Sequence, residues 1–113
     1  MPYLKIQTNI KVENTDELLI KTSKHVAEII NKPVDYVMVA IEDNVKMCFS
    51  LNQDPCMFIE FKSLGLHEEQ TNNLSEKVCS FFNSELGILK DRMYIEFKKN
   101  PRHMWGWDSK NMG

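Results

Sequence analysis

The second residue of the chain is the one with the most evident chemistry. Met1-Pro2 is a pair from which the methionine is normally removed, and removal turns Pro2 into a terminal residue with a free secondary amine. An α-amino group in water has a pKa of roughly 8. Burial among apolar groups disfavours its charged form, and a neighbouring cation lowers the value further. A neutral amine near pH 7 is a general base. The pyrrolidine ring would also hold that nitrogen rigidly against whatever element follows. Many chains begin Met-Pro with no chemical consequence, so the pair alone leaves a plain chain start as an alternative. Other reactive residue types are scattered. Cys48, Cys56 and Cys79 form no C-x-x-C pair, and His25, His67 and His103 lie far from one another in sequence. That spacing suits neither a zinc knuckle nor a disulfide framework, and it points to reduced thiols and no metal.

The elements that must position Pro2 follow from periodicity. Residues 2–8 alternate Pro2, Leu4 and Ile6 against Tyr3, Lys5 and Gln7, which predicts a strand with proline at its permitted first position. Asn14 followed by Glu17 reads as a helix start, and Leu18, Leu19, Thr22, Val26, Ile29 and Ile30 recur at helical spacing. Asn31 tolerates the left-handed cap conformation, and Pro33 forces Lys32 into an extended stretch just past the helix. Residues 36–42 predict a strand apolar on both faces. Asp43-Asn44 predicts a tight turn, and residues 45–50 a short return strand. Residues 56–62 predict a third long strand, again largely apolar on both faces, broken by Ser63-Leu64-Gly65. Residues 68–86 predict a second helix ending at Gly87, and residues 92–98 a last strand. The tail, residues 99–113, carries Trp105-Gly106-Trp107 and no evident helix.

This is an α+β (α/β) chain of order β-α-β-β-α-β, expected to form a single domain over residues 1–113. Right-handed crossovers put both helices on one face of a four-stranded sheet. Strands apolar on both sides then leave the other face needing a cover, and a second copy of the chain is the simplest one. A content of 42% apolar and 27% charged residues suits a globular protein and argues against disorder. No apolar run reaches the ~18 residues of a membrane helix, and the first residues lack the cationic and apolar regions of a signal peptide. The same element order occurs in RNA-binding ferredoxin-like modules. Those need exposed aromatics on the central strands and a basic surface, whereas Glu60 sits between Phe58 and Phe61 and the net charge is -2.

Several short motifs recur together, in order and at the right spacing. They are Met1-Pro2 heading a strand, Thr8-Asn9 after it, Asn31-Lys32-Pro33 with Tyr36 four residues beyond Lys32, Ser63-Leu64-Gly65, Asp91-Arg92-Met93-Tyr94-Ile95, and the Trp-Gly-Trp tail. With these the chain resembles the family of macrophage migration inhibitory factor and D-dopachrome tautomerase over essentially its whole length. The resemblance implies a homotrimer with active sites between neighbouring subunits. It implies a cofactor-independent keto–enol tautomerase acting on aromatic 2-keto acids of the phenylpyruvate type, or on dopachrome, with Pro2 as catalytic base. Lys32 would hold the substrate carboxylate. The backbone N–H of Leu64 would contact the substrate, in a turn shaped by Ser63, and Tyr36 would line the pocket. Tyr94 would come from the adjacent subunit, and Trp107 would stand near the rim. It also implies a cytokine-like role, with a cell-surface receptor as partner and activity carried on in the cytoplasm and, after release without a signal peptide, outside the cell.

Three departures from the family pattern bear on specificity. Glu96 stands where asparagine is frequent, and a carboxylate there would repel the far end of an anionic substrate and raise the Pro2 pKa. Trp105 replaces a smaller aliphatic residue, and Met112 an aromatic one. Cys56-Met57-Phe58-Ile59 lacks the second cysteine some members carry, which removes the resolving thiol that disulfide chemistry requires.

Overall fold

A computed structural model describes residues 1–113. The sheet is built from β1 (Tyr3–Thr8), β2 (Met38–Glu42), β3 (Met57–Leu64) and β4 (Met93–Asn100), in spatial order β2-β1-β3-β4. β1 and β2 are parallel and joined through α1 (Thr15–Ile30), and β3 and β4 are parallel and joined through α2 (Thr71–Leu86). The two β-α-β units meet along the antiparallel β1–β3 pair, so the topology is that of one unit used twice. This is an α+β fold with a mixed sheet.

Both helices begin and end where their local chemistry dictates. The Asn14 side chain accepts the Glu17 N–H at 3.0 Å and caps α1. Asn31 (φ 55°, ψ 51°) closes it in the left-handed conformation. Gly87 (φ 72°) does the same for α2, a conformation that glycine adopts without strain. A 3₁₀ turn, Glu68–Gln70, leads into α2. One face of the sheet meets the inner stripes of both helices. Leu4, Ile6, Ile59 and Phe61 from the strands pack with Leu18 and Val26 of α1 and Val78 and Phe82 of α2, all buried in one cluster. Each such side chain contributes roughly 1.5–3 kcal/mol on burial. Between the helices, His25 stacks on Phe81 with ring centroids 4.3 Å apart, and burial pushes its pKa down.

Three expectations change. The chain does not turn back after β2. Asp43–Val45 instead run alongside the exit of β1, where Asn44 donates to Ile10 O at 2.8 Å and Val45 to Thr8 O at 3.0 Å. Residues 45–50 form no return strand, and β2, apolar in sequence, lies at the edge of the sheet. The tight hairpin lies further on, at Ser50-Leu51 (φ 57° and 62°), between Phe49 and Asn52. Second, β3 runs through Ser63-Leu64 and stops at Gly65 (φ 68°). Third, the face opposite the helices is mixed rather than apolar. Strand alternation and register place Tyr3, Lys5 and Gln7 there with Phe58, Glu60 and Lys62, and with Tyr94, Glu96 and Lys98. Lys5 pairs with Glu42 across it at 3.0 Å. The tail is ordered as well, as a 3₁₀ turn (Arg102–Met104) and a small ribbon of β5 (Gly106–Trp107) and β6 (Lys110–Asn111). Asp108 and Ser109, both at positive φ, form its tight turn.

Candidate active site

Pro2 opens β1 and is fully buried. Its carbonyl accepts the Met38 N–H at 3.0 Å, which ties the head of β1 to the start of β2. A cleft of about 370 Å³ lies over it. Pro2 directly precedes β1 and Tyr3 opens it, Asp35 and Tyr36 come from the turn into β2, and Met38 is the first residue of β2. Lys62 comes from β3, and Trp105 and Trp107 from the tail. The Tyr36 and Trp107 rings meet edge-on, centroids 5.8 Å apart, and wall one side. The tail is folded back on itself by its own bonds, and the Tyr36–Trp107 contact joins it to the cleft. Met112 N–H donates to Trp105 O at 3.0 Å and to Arg102 O at 3.2 Å.

Four of the residues read from the sequence, Pro2, Tyr36, Trp105 and Trp107, line this cleft. Lys32 stands beside it. Its N–H donates to Ala27 O at 3.0 Å, completing the helix cap, and its side chain is exposed. The α-amine at the chain head belongs to Met1. Its pKa is held below the ordinary value by burial first, then by the charge of Lys32, then by that of Arg102. Ser63 and Leu64 are buried at the end of β3. The register Tyr3↔Lys62 continues to place Ser63 beside Pro2, and the Ser63 hydroxyl donates to Leu64 O at 3.1 Å.

Tyr94 and Glu96 are not brought to this cleft. Lys98 is level with Lys62, and hence with Tyr3, while Tyr94 is level with Phe58 and Gln7. Four residues of strand separate the two rows, roughly 13 Å at ~3.3 Å per residue. Tyr94 is 61% exposed and leans on Phe49, centroids 4.9 Å apart. Arg92 fixes that corner by donating to Phe49 O, Asp54 O and Pro55 O at 3.0–3.2 Å. Thr8 and Asn9 are structural in the same way. Thr8 Oγ1 donates to Cys56 O at 2.8 Å, and Asn9 bonds Gln53, Asp54 and Cys56.

Sequence reasoning missed Lys62, Asp35, Met38 and Arg102. Lys62 directly precedes Ser63-Leu64-Gly65, but only the β1–β3 register brings it level with Tyr3. A second cleft of about 290 Å³ lies at the start of α1. It holds Lys21 already paired with Glu17 and Glu85, at 3.0 and 3.4 Å. No three His, Cys, Asp or Glu side chains gather as a metal site. The cysteines are free, with Cys56 buried and Cys48 exposed.

The family described as macrophage migration inhibitory factor (MIF) matches residues 1–113. The chain belongs to the MIF family. A macrophage migration inhibitory factor homolog of Brugia malayi is 37% identical over 99 residues, 86% of each chain. One of Trichinella spiralis is 34% identical over 110 residues, 96% of each. The crystal structure of the Prochlorococcus marinus homologue superposes with a TM-score of 0.91 at 37% identity, covering 98% of this chain and 99% of that one. The Trichinella spiralis structure gives 0.87 at 29% identity, covering 96% and 98%. Membership supports a MIF-like function of the general tautomerase or cytokine type.

Proposed function

We propose that the protein is a cofactor-independent keto–enol tautomerase of phenylpyruvate-type 2-keto acids, with the Pro2 amine as general base. The observation that carries this reading is a buried proline at the chain head, under an aromatic-walled cleft, where burial and then the charges of Lys32 and Arg102 depress the pKa of the Met1 amine next to it. While Met1 is attached, the Pro2 nitrogen is an amide and no base. Once it is free, it takes a proton from the carbon beside the keto group. The C2=C3 bond forms and the carbonyl oxygen gains a proton, and the reverse sequence restores the keto form. Lys32 holds the carboxylate as a flexible point charge, and the Leu64 N–H contacts the substrate. The single domain works as a homotrimer in which Tyr94 and Glu96 reach the cleft from a neighbour. It acts in the cytoplasm and, as a cytokine-like protein, outside the cell. Conversion of enol phenylpyruvate to the keto form, followed by ultraviolet absorbance, tests the mechanism. Protein with a mass-verified Pro2 terminus is expected to be active, and Pro2→Gly at least about a hundredfold slower, the scale of a lost general base. An inactive, folded, Met-free protein would overturn it.

A second reading is favoured by the Glu96 and Trp105 departures. In it the cleft is mainly a recognition surface of a cytokine-like ligand for a cell-surface receptor. Receptor binding that survives Pro2→Gly unchanged supports it.

A further inference from the structure

One cation lines the Pro2 cleft, and two more, Lys32 and Arg102, lie near enough to the chain head for their charges to act on its amine. Lys62 lines it, its Nζ 5.8 Å from the Tyr3 ring centroid. Lys32 leaves the α1 cap beside the chain head. Arg102 opens the 3₁₀ turn that leads into the Trp105–Trp107 wall. Its carbonyl is fixed by the N–H groups of Trp105 and Met112, at 3.3 and 3.2 Å, while its guanidinium lies on an exposed residue. None of the three joins an ion pair. The chain's ion pairs, Lys5–Glu42, Lys21–Glu17 and Lys21–Glu85, lie elsewhere. The one acid lining the cleft is Asp35.

A keto monoacid occupies a single cation and leaves the rest uncompensated. A cleft with apolar walls and excess positive charge concentrates anions of higher charge. We infer that the preferred ligands are short 2-keto dicarboxylates, their two carboxylates shared among Lys32, Lys62 and Arg102. Chain length matters, because Glu96 brought in by a neighbouring subunit opposes a far anionic end. A four- or five-carbon acid keeps both carboxylates among the cations. The inference rests on the reading of the cleft as a 2-keto acid site. The proton transfer is the one described above: C3–H to the amine, a C2=C3 bond formed, a proton gained by the carbonyl oxygen. Nothing is oxidised and no co-reactant enters.

The test compares 2-ketoglutarate with 2-ketopentanoate, acids of equal length in which a methyl replaces the distal carboxylate. The only two tryptophans, Trp105 and Trp107, both line the cleft, so fluorescence quenching reports binding there. Deuterium incorporation at C3 in heavy water, read by NMR, reports base catalysis independently. 2-Ketoglutarate is expected to bind about tenfold more tightly, as two partly exposed ion pairs worth roughly two- to fivefold each would give. Lys62→Gln and Arg102→Gln should each cut that preference by about two- to fivefold, and added salt should shrink it. Equal affinities in the unmodified protein, or a preference that survives both substitutions, would overturn the inference. Preference without C3 exchange in a Pro2-terminated protein would keep the ligand class and sink the proline base. Exchange on both acids at equal affinity would do the reverse.

Discussion

At the scale of single residues, Pro2 and Lys32 are expected to contribute differently. Lys32 would meet a carboxylate that does not react, so it binds ground state and transition state alike. Lys32→Ala should therefore raise KM for phenylpyruvate about tenfold, the scale of a lost charge-assisted bond, and leave kcat nearly intact. Michaelis kinetics on Pro2-terminated protein decide it, and an unchanged KM would remove Lys32 from the site. The same cation acts on the base. The Met1 amine has its pKa depressed by burial first, then by Lys32 and Arg102, and a Pro2 amine exposed one residue further in is expected to meet the same burial and the same cations. The protonated amine is inactive, so a depressed pKa carries activity to lower pH. The acid limb of kcat/KM should then have its midpoint below the ordinary ~8 of an α-amine. Lys32→Ala and Arg102→Gln should move that midpoint up, and a midpoint at or above the ordinary value would contradict the field these residues provide. Proline at position 2 and lysine after the cap were legible from type and local sequence. Lys62 and Arg102 were not, since nothing local says which end of β1 a β3 residue will face.

At the scale of elements, local signals succeeded where the local chain itself fixes the outcome. The α1 boundaries follow from Asn14, Asn31 and Pro33, and the α2 end from Gly87. They failed over residues 43–56. Asp43-Asn44 has turn chemistry, and Asn44 does adopt φ 56°. What decides its path is tertiary: Asp43 accepts the Val12 N–H at 2.8 Å while Asn44 and Val45 bond residues 10 and 8. The chain therefore extends the β1 edge, and the reversal falls at Ser50-Leu51. Leu51 is 98% exposed with φ 62°, so it bears left-handed strain and buries nothing within its own chain. A non-glycine residue there costs about 1–2 kcal/mol, and glycine suits this turn. Leu51→Gly should raise stability by about 0.5–1 kcal/mol once the added freedom of the unfolded chain is counted. Its denaturant midpoint measures this. A lower midpoint would mean that another subunit covers Leu51.

At the scale of the whole molecule, the chain reaches outward. Its radius of gyration is 14.4 Å, against about 13 Å for a compact chain of this length. The mixed face of the sheet removes the argument that apolar strands alone demand a cover. The stronger argument is separation: on the edge strand β4, Tyr94 stands four strand residues and Glu96 two from the row that holds Tyr3 and Lys62, and neither lines the Pro2 cleft of the same chain. If they serve a cleft, it is a neighbour's, and a cyclic trimer supplies each site with one such donor. Light scattering should give three times the chain mass. Mixing separates a shared site from one made within a single chain. Pro2→Gly and Tyr94→Ala subunits, each weakly active alone, are refolded together in equal amounts. A shared site is intact when an unmodified Pro2 meets an unmodified Tyr94 from next door, which random assembly gives at about one site in four. Recovery of about a quarter of the normal rate places Tyr94 across the interface. If both groups acted within one chain, every chain would still carry a defect, and mixing would recover nothing.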